Sequence, residues 1–341
     1  MDTNIQDIAL LAGVSKSTVS RVLNNHPDVS EKTRQKVLQV IEAQSFIPNN
    51  SARNLKREPI RAVAVVVKGF TNPLFTQMLT IIQKKLEEHD YLMLLHQVDP
   101  VQNEIEEAIS FVKEKKPKGL IFLGGNFQHQ REKTAMLGVP FIMVTISMHK
   151  KVDRNLFSSV TVDDYAEGYA IADKICKAGH TNVAAIGYRQ DDKSISRLRI
   201  EGFLQALRDN GTQPDENCVA YAGTFAYQAG YQAAQKLIRA DSSKTCLFCI
   251  SDMLALGAMR ALHDEGLRVP EDVSVVGFDG VEAGRYNIPS LATVKQPYEE
   301  MANQSVQILL GCMEKKQPHQ HIIFKAEYLD GESFAAQPSK A

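Results

Sequence analysis

A chain of 341 residues is too long for one ordinary core, and two or three cores are expected. Its apolar fraction of 44% and charged fraction of 23% are those of a water-soluble globular protein, and no run approaches the ~18–20 uninterrupted apolar residues of a membrane span. The net charge of −1 divides unevenly, residues 1–57 carrying +3 and the remainder −4, a balance compatible with nucleic-acid binding by the head.

The N-terminus has no basic region followed by an apolar core, so a signal peptide is not expected and the cytoplasm is the expected compartment. Three short helices can be read in the first sixty residues. Thr3 and Gln6 form a capping-box pattern, after which Ile5, Ile8, Ala9 and Ala12 make one apolar face ended by Gly13. Ser15 can cap a second helix with Val19, Val22 and Leu23 inward and Lys16, Ser17, Ser20, Arg21 and Asn24 outward. Ser30 can cap a third, with Val37, Val40 and Ile41 inward. Two helices joined by the tight turn Ala12-Gly13-Val14 fit a helix-turn-helix unit, whose second helix enters the major groove. Lys16 and Arg21 suit phosphate or guanine, and Ser17, Thr18 and Asn24 suit base edges or phosphate oxygens. On pattern alone, a three-helix bundle with a solvated polar face fits equally well.

Pro48 stops the third helix, and residues 49–56 suffice for two helical turns, marginal alone in water. From residue 61 apolar strands alternate with amphipathic helices. Strands are expected at 62–67, 91–95, 119–123, 141–144, 160–162, 183–187, 246–250 and 273–278. Near-continuous apolar strands between helices imply parallel sheets covered on both faces, and their number implies two lobes splitting near 160. Ligands in such sheets bind beyond the carboxyl ends of strands. That singles out 70–75 with Asn72 and Phe75, Thr145, Asp163-Asp164, 194–199, Ser251-Asp252 and Asp279. An arginine, acids and aromatics in one cleft suit a sugar's vicinal hydroxyls and C–H faces. Each also has a plainer role: Asp279 or Asp163-Asp164 at a helix start, Arg199 paired with Glu201, the phenylalanines in the core, His180 closing a helix. Cys246 and Cys249 form a C-x-x-C in a strand, where positions three apart face opposite ways, so buried thiols are expected and neither a metal nor a cofactor.

The runs Ile5–Ala9 and Ala12–Asn24, then Val29–Arg34 and Phe46–Lys56, closely resemble the head and hinge of the lactose repressor/galactose repressor family of bacterial transcription regulators. The runs 251–262, 266–279 and 289–297 resemble the same family's core, itself similar to periplasmic sugar-binding proteins, and the resemblance extends from Ile5 to about Leu329. It implies an α/β, two-lobed periplasmic-binding-protein-like core of parallel sheets preceded by an all-α helix-turn-helix DNA-binding head. The expected division is a head at 1–58 with a hinge helix at about 49–56, a core at 61–330, and a tail at 331–341. Lobe 1 is expected at about 61–160 plus 291–320 and lobe 2 at about 161–290 plus 321–330.

The DNA-facing set implied by the resemblance is Ser15, Lys16, Ser17, Thr18, Ser20, Arg21, Asn24, Ser30 and Thr33 in the head, with Asn49, Ala52, Arg53, Leu55 and Lys56 in the hinge. Leu55 matches the leucine that wedges between base pairs in the minor groove. The implied effector set is Asn72, Phe75, Thr145, Arg199, Phe225, Ser251, Asp252, Asp279 and Gln296, with Arg199 on ligand hydroxyls and Phe225 stacking. Two positions depart from the family: Ser251 stands where Asn precedes the aspartate, and Thr145 where some sugar-binding members carry aspartate. The expected protein is a non-enzymatic regulator, a homodimer on a pseudo-palindromic operator, controlled by a saccharide and not bound to a membrane. A nucleoside or purine effector, or a protein corepressor, is the alternative within this class. A cytoplasmic solute-binding protein is the alternative outside it.

Overall fold

The computed structural model describes residues 4–23, 26–44, 61–99, 102–125, 131–146, 153–191, 194–215, 217–315 and 317–337. They form two compact units, one up to residue 60 and one from residue 61 onward.

The first unit has three helices, α1 (Ile5–Ala12), α2 (Lys16–Leu23) and α3 (Glu31–Ala43). The cap of α1 lies one residue beyond the expected Thr3/Gln6 pair. Asn4 Oδ1 accepts from the amides of Gln6 and Asp7, and Asp7 Oδ2 accepts from the amide of Asn4. Asn is a stronger N-cap than Thr, which decides between adjacent candidates. Gly13 ends α1 in the left-handed region at φ 60°, where a side chain is costly. Ile8, Ala12, Val19, Val22 and Val37 are buried and fill the small core among the three helices.

The second unit holds two six-stranded sheets. The strands are β1 (Ala62–Lys68), β2 (Leu92–Val98), β3 (Gly119–Leu123), β4 (Phe141–Val144), β5 (Ser158–Val162), β6 (Val183–Gly187), β7 (Val219–Tyr221), β8 (Cys246–Cys249), β9 (Ser274–Asp279), β10 (Ala292–Lys295), β11 (His321–Phe324) and β12 (Glu327–Leu329). The first sheet runs β11-β5-β4-β3-β1-β2 and the second β12-β10-β9-β8-β6-β7. All pairings are parallel except β10 with β12. Strand alternation sets the layers: Val63, Val65 and Val67 of β1 join the cluster with Met78 and Ile82 of helix Pro73–Glu87, while Ala64 and Val66 join Ile105 and Ala108 of helix Glu104–Lys115. Strand order reverses beside β1 in one sheet and beside β6 in the other, which opens a crevice at their carboxyl ends.

The expected lobe boundaries need correction. Strand β10 (Ala292–Lys295) belongs to the second sheet, where Ala292 aligns with Val276, and β11 (His321–Phe324) belongs to the first, where His321 aligns with Ser159. Strand periodicity shows that a segment is extended but not which sheet it joins. The supposed tail is also part of the second lobe through residue 337. Ser333 is wholly buried, its Oγ donating to Val275 O and accepting from the amide of Ala292. His180, expected to close a helix, has its backbone N–H on Ile175 O, while its ring bridges Thr245 Oγ1 at 3.0 Å and Ala335 O at 2.9 Å, holding the chain end to the lobe. Cys246 and Cys249 are fully buried, and burial pushes both thiols well up, as suits core residues.

Burial holds His180 below the ordinary imidazole pKa, and His319 and His321 are lowered by the same cause. A neutral folded imidazole stabilises fully above its unfolded pKa of ~6.5, and that stability is lost as pH falls through the lower folded value. Thermal unfolding is therefore expected to move to lower temperature between about pH 7 and about pH 5, and His180→Gln should flatten this dependence. An unchanged slope in the variant would remove His180 from the account.

Candidate functional site

The core site is built by close helix packing. Gly168 of helix Asp164–Lys177 lies on the backbone of Arg199, and Gly202 of helix Ile195–Asp209 lies on that of Tyr165. A Cβ at either position would collide with a carbonyl oxygen, so the two helices touch only because both residues are glycine. That approach brings Asp164, at the start of one helix, against Arg199 on the other. The Arg199 guanidinium is buried, with Nε donating to Asp164 Oδ1 at 2.9 Å and Nη1 to Ile250 O at 2.7 Å. It stacks over the Phe278 ring at 3.6 Å and reaches Asp279 Oδ1 at 3.5 Å. The alternative pairing with Glu201 is taken by Arg197 at 3.1 Å.

Asp279 collects donors from several elements. Gln296 Nε2 donates to its Oδ1 at 2.8 Å, and Asn72 Nδ2 donates to its Oδ2 at 3.0 Å. Asn72 starts helix Pro73–Glu87 on the first lobe, where its Oδ1 also caps the amide of Leu74, so both ends of its amide are engaged. Asp279 ends β9 on the second lobe. The Asn72–Asp279 bond therefore spans the lobes. Asp279 stands at φ 120° and Thr145 at φ 61°, left-handed conformations that side chains rarely adopt and that collect at ligand sites. Burial raises the Asp279 carboxyl above its ordinary range, opposed first by the Arg199 charge.

Asp252 sits beneath this cluster and positions it. Its Oδ2 accepts from the amide of Val281 at 2.6 Å and its Oδ1 accepts from Thr293 Oγ1 at 2.5 Å, fixing the loop after Asp279. Ser251 is the N-cap of helix Asp252–Asp264, its Oγ accepting from the amide of Leu254. Phe75 is 8% exposed and packs in the core against Gly69 and Gly124. Phe225 is half-buried and stacks on Tyr188 with centroids 4.9 Å apart. The structure thus brings together Asn72, Arg199, Asp279 and Gln296, with Asp252 below them and Ser251 at a helix start. Sequence reading missed Asp164 as the partner of Arg199, and Tyr188 and Phe278 as ring partners; only the Asp163-Asp164 pair carried a signal. Asp163 caps the helix, accepting from the amide of Ala166, which leaves Asp164 for Arg199. Among the described residues no group of three or more His, Cys, Asp or Glu could hold a metal ion, and no helix is long and apolar enough to cross a membrane.

In the head, Lys16, Ser17 and Arg21 are exposed on α2, while Thr18, Ser20 and Thr33 are half-buried. Ser15 Oγ accepts from the amide of Thr18 at 3.1 Å and bonds Ser17 Oγ at 2.7 Å, and Ser30 Oγ bonds Thr33 Oγ1 at 2.9 Å. The two serines are thus engaged at the starts of α2 and α3, ends whose free amides suit phosphate. Asn24, Asn49, Ala52, Arg53, Leu55 and Lys56 lie outside the described residues.

Residues 4–49 match the family profile of bacterial regulatory proteins, lacI family, and residues 172–334 match the periplasmic binding protein-like domain. The HTH-type transcriptional regulator MalR of Clostridium butyricum is 38% identical over 332 residues, 97% of this chain and 98% of that protein. The HTH-type transcriptional regulator DegA of Bacillus subtilis is 33% identical over 307 residues, 88% of each chain. Among solved structures, a complex of the transcriptional regulator CelR with cellobiose superposes with a TM-score of 0.72 at 26% identity, covering 97% of this chain and all of that one. The lac repressor dimer bound to operator and the anti-inducer ONPF also gives 0.72, at 25% identity and 98% coverage of this chain. A helix-turn-helix head on a two-lobed binding-protein core defines a class of ligand-responsive DNA-binding regulators. The chain belongs to the lacI family of bacterial regulatory proteins.

Burial, and then the charge of Asp279, push the Asp252 carboxyl up to about 8. A raised folded pKa gives stability that is present below the unfolded value and lost as pH rises through the folded one. Thermal stability is expected to fall between about pH 7 and about pH 9, and Asp252→Asn, which mimics the protonated acid, should flatten that fall. A variant with the wild-type alkaline slope would contradict this assignment.

Proposed function

We propose that the protein is a transcriptional repressor that binds a pseudo-palindromic operator as a homodimer and is controlled by a saccharide held between the lobes of its core. The observation that carries this reading is the polar cluster of Arg199, Asp279, Gln296 and Asn72, drawn from both lobes and joined across them at 3.0 Å. A ligand inserted there exchanges hydrogen bonds with both lobes at once, so its binding free energy depends on how the lobes are set. The cellobiose complex of CelR supports a saccharide as the ligand class.

On the DNA side, Lys16, Ser17 and Arg21 of α2 read the major groove, with Ser20 and Thr18 behind them. Asn24 continues this surface. The hinge segment with Asn49, Ala52, Arg53, Leu55 and Lys56 enters the minor groove at the operator centre, Leu55 as the wedge. A coupling of ~1–3 kcal/mol between effector and operator is enough for a usable switch.

Two variants separate the two halves. Leu55→Ala should weaken operator affinity about tenfold or more in fluorescence anisotropy. It should leave saccharide affinity by calorimetry unchanged. Gln296→Ala should do the reverse, lowering saccharide affinity about tenfold or more. It should leave effector-free operator binding near wild type. Wild-type operator affinity in Leu55→Ala would sink the wedge, and wild-type saccharide affinity in Gln296→Ala would sink the site.

A further inference from the structure

The buried polar atoms of the cleft are unequally divided between donors and acceptors. A carboxylate oxygen only accepts, so the bond to Asp279 fixes the Gln296 amide with Nε2 as donor and Oε1 as acceptor. That Oε1 is buried and has no protein partner among the described residues, and the same holds for Thr145 Oγ1. Both residues are almost wholly buried, Gln296 1% and Thr145 2% exposed. The donors beside them are engaged: Asn72 Nδ2 and Gln296 Nε2 on Asp279, Arg199 Nε on Asp164, and Arg199 Nη1 on Ile250 O. Asp279 Oδ2 receives one donor, from Asn72, and has room for a second.

Charge points the same way. The single guanidinium of the cluster is already matched by Asp164 at 2.9 Å, and Asp279 adds a second carboxylate at 3.5 Å. The cluster therefore offers an anion no net positive charge. Lys68, at the end of β1, is likewise held by Glu104 at 3.0 Å. Lys295 precedes Gln296 and lays its stem along Gly280, and successive residues of an extended strand face opposite ways.

We infer that the effector is an uncharged polyol that donates its hydroxyls to Gln296 Oε1, Asp279 Oδ2 and Thr145 Oγ1, and that the phosphate ester of the same polyol is rejected. A phosphate dianion has acceptors and no donors, so it would leave those acceptors unmet and face Asp279 directly. This inference rests on the saccharide reading of the site and narrows it.

The test is calorimetry on the full-length protein with maltose, cellobiose, their phosphate monoesters, inorganic phosphate and free nucleosides. Each phosphate ester is expected to bind at least about a hundredfold more weakly than its parent disaccharide, and inorganic phosphate not to bind. Asp164→Asn releases part of the Arg199 charge and should narrow the gap between parent and ester; its unfolding temperature reports whether it folds, and the wild-type series stands without it. An ester binding as tightly as its parent, or tight ester binding that disappears in Lys295→Ala, would overturn the inference while leaving the saccharide reading intact. Binding of an uncharged nucleoside and of no saccharide would overturn the saccharide reading and leave the exclusion of anions standing.

Discussion

The core is organised around one buried cation. Taking a guanidinium out of water is costly, and the cost is offset only where charged and polar partners meet it in good geometry. Arg199 has Asp164, Asp279, a backbone carbonyl and the face of Phe278. Each partner comes from a different element, so the ion pair can form only when the helices, β8 and β9 are correctly placed. Gly168 and Gly202 permit the helix contact, and Asp252 fixes the loop that presents Asp279. Removing a single partner from such an arrangement typically costs ~3–5 kcal/mol, because the remaining charge stays buried.

That organisation also explains how a binding event can be felt at a distance. Asp279 is tied to Arg199 within its own lobe and to Asn72 on the other. Asn72 begins helix Pro73–Glu87 and caps it, so a displacement at Asp279 is passed to the first turn of a helix that packs on the first sheet. Three chain passages join the lobes, between β5 and β6, between β10 and β11, and between β11 and β12. Packed elements change between discrete arrangements more readily than they deform continuously, which suits a two-setting device.

Much of this was legible in the sequence, and the failures have physical causes. Long apolar strands such as β1 and β3 were read close to their observed bounds because both of their faces are buried. The short β7, β10, β11 and β12 were not, since three or four residues carry little periodicity. The assignment of β10 and β11 to opposite sheets is a tertiary fact, set by register with β9 and β5. Arg199 and Asp279 could be picked out because they follow strands and match known motifs, whereas Asp164 looked like any acidic residue at a helix start. Its role depends on a helix crossing, enforced by Gly168, that no local pattern announces. Ser251 shows the converse: a departure from the family's usual residue that drew attention to ligand chemistry proves to be a helix cap.

The central claim is that the polar cluster joining the lobes is coupled to operator binding. Its most direct test is a closed thermodynamic cycle on the full-length protein, measuring operator affinity with and without a saturating saccharide and saccharide affinity with and without operator. The account predicts the same factor, about 5-fold to 150-fold, in both directions. Saccharide that binds tightly while operator affinity stays unchanged would contradict it.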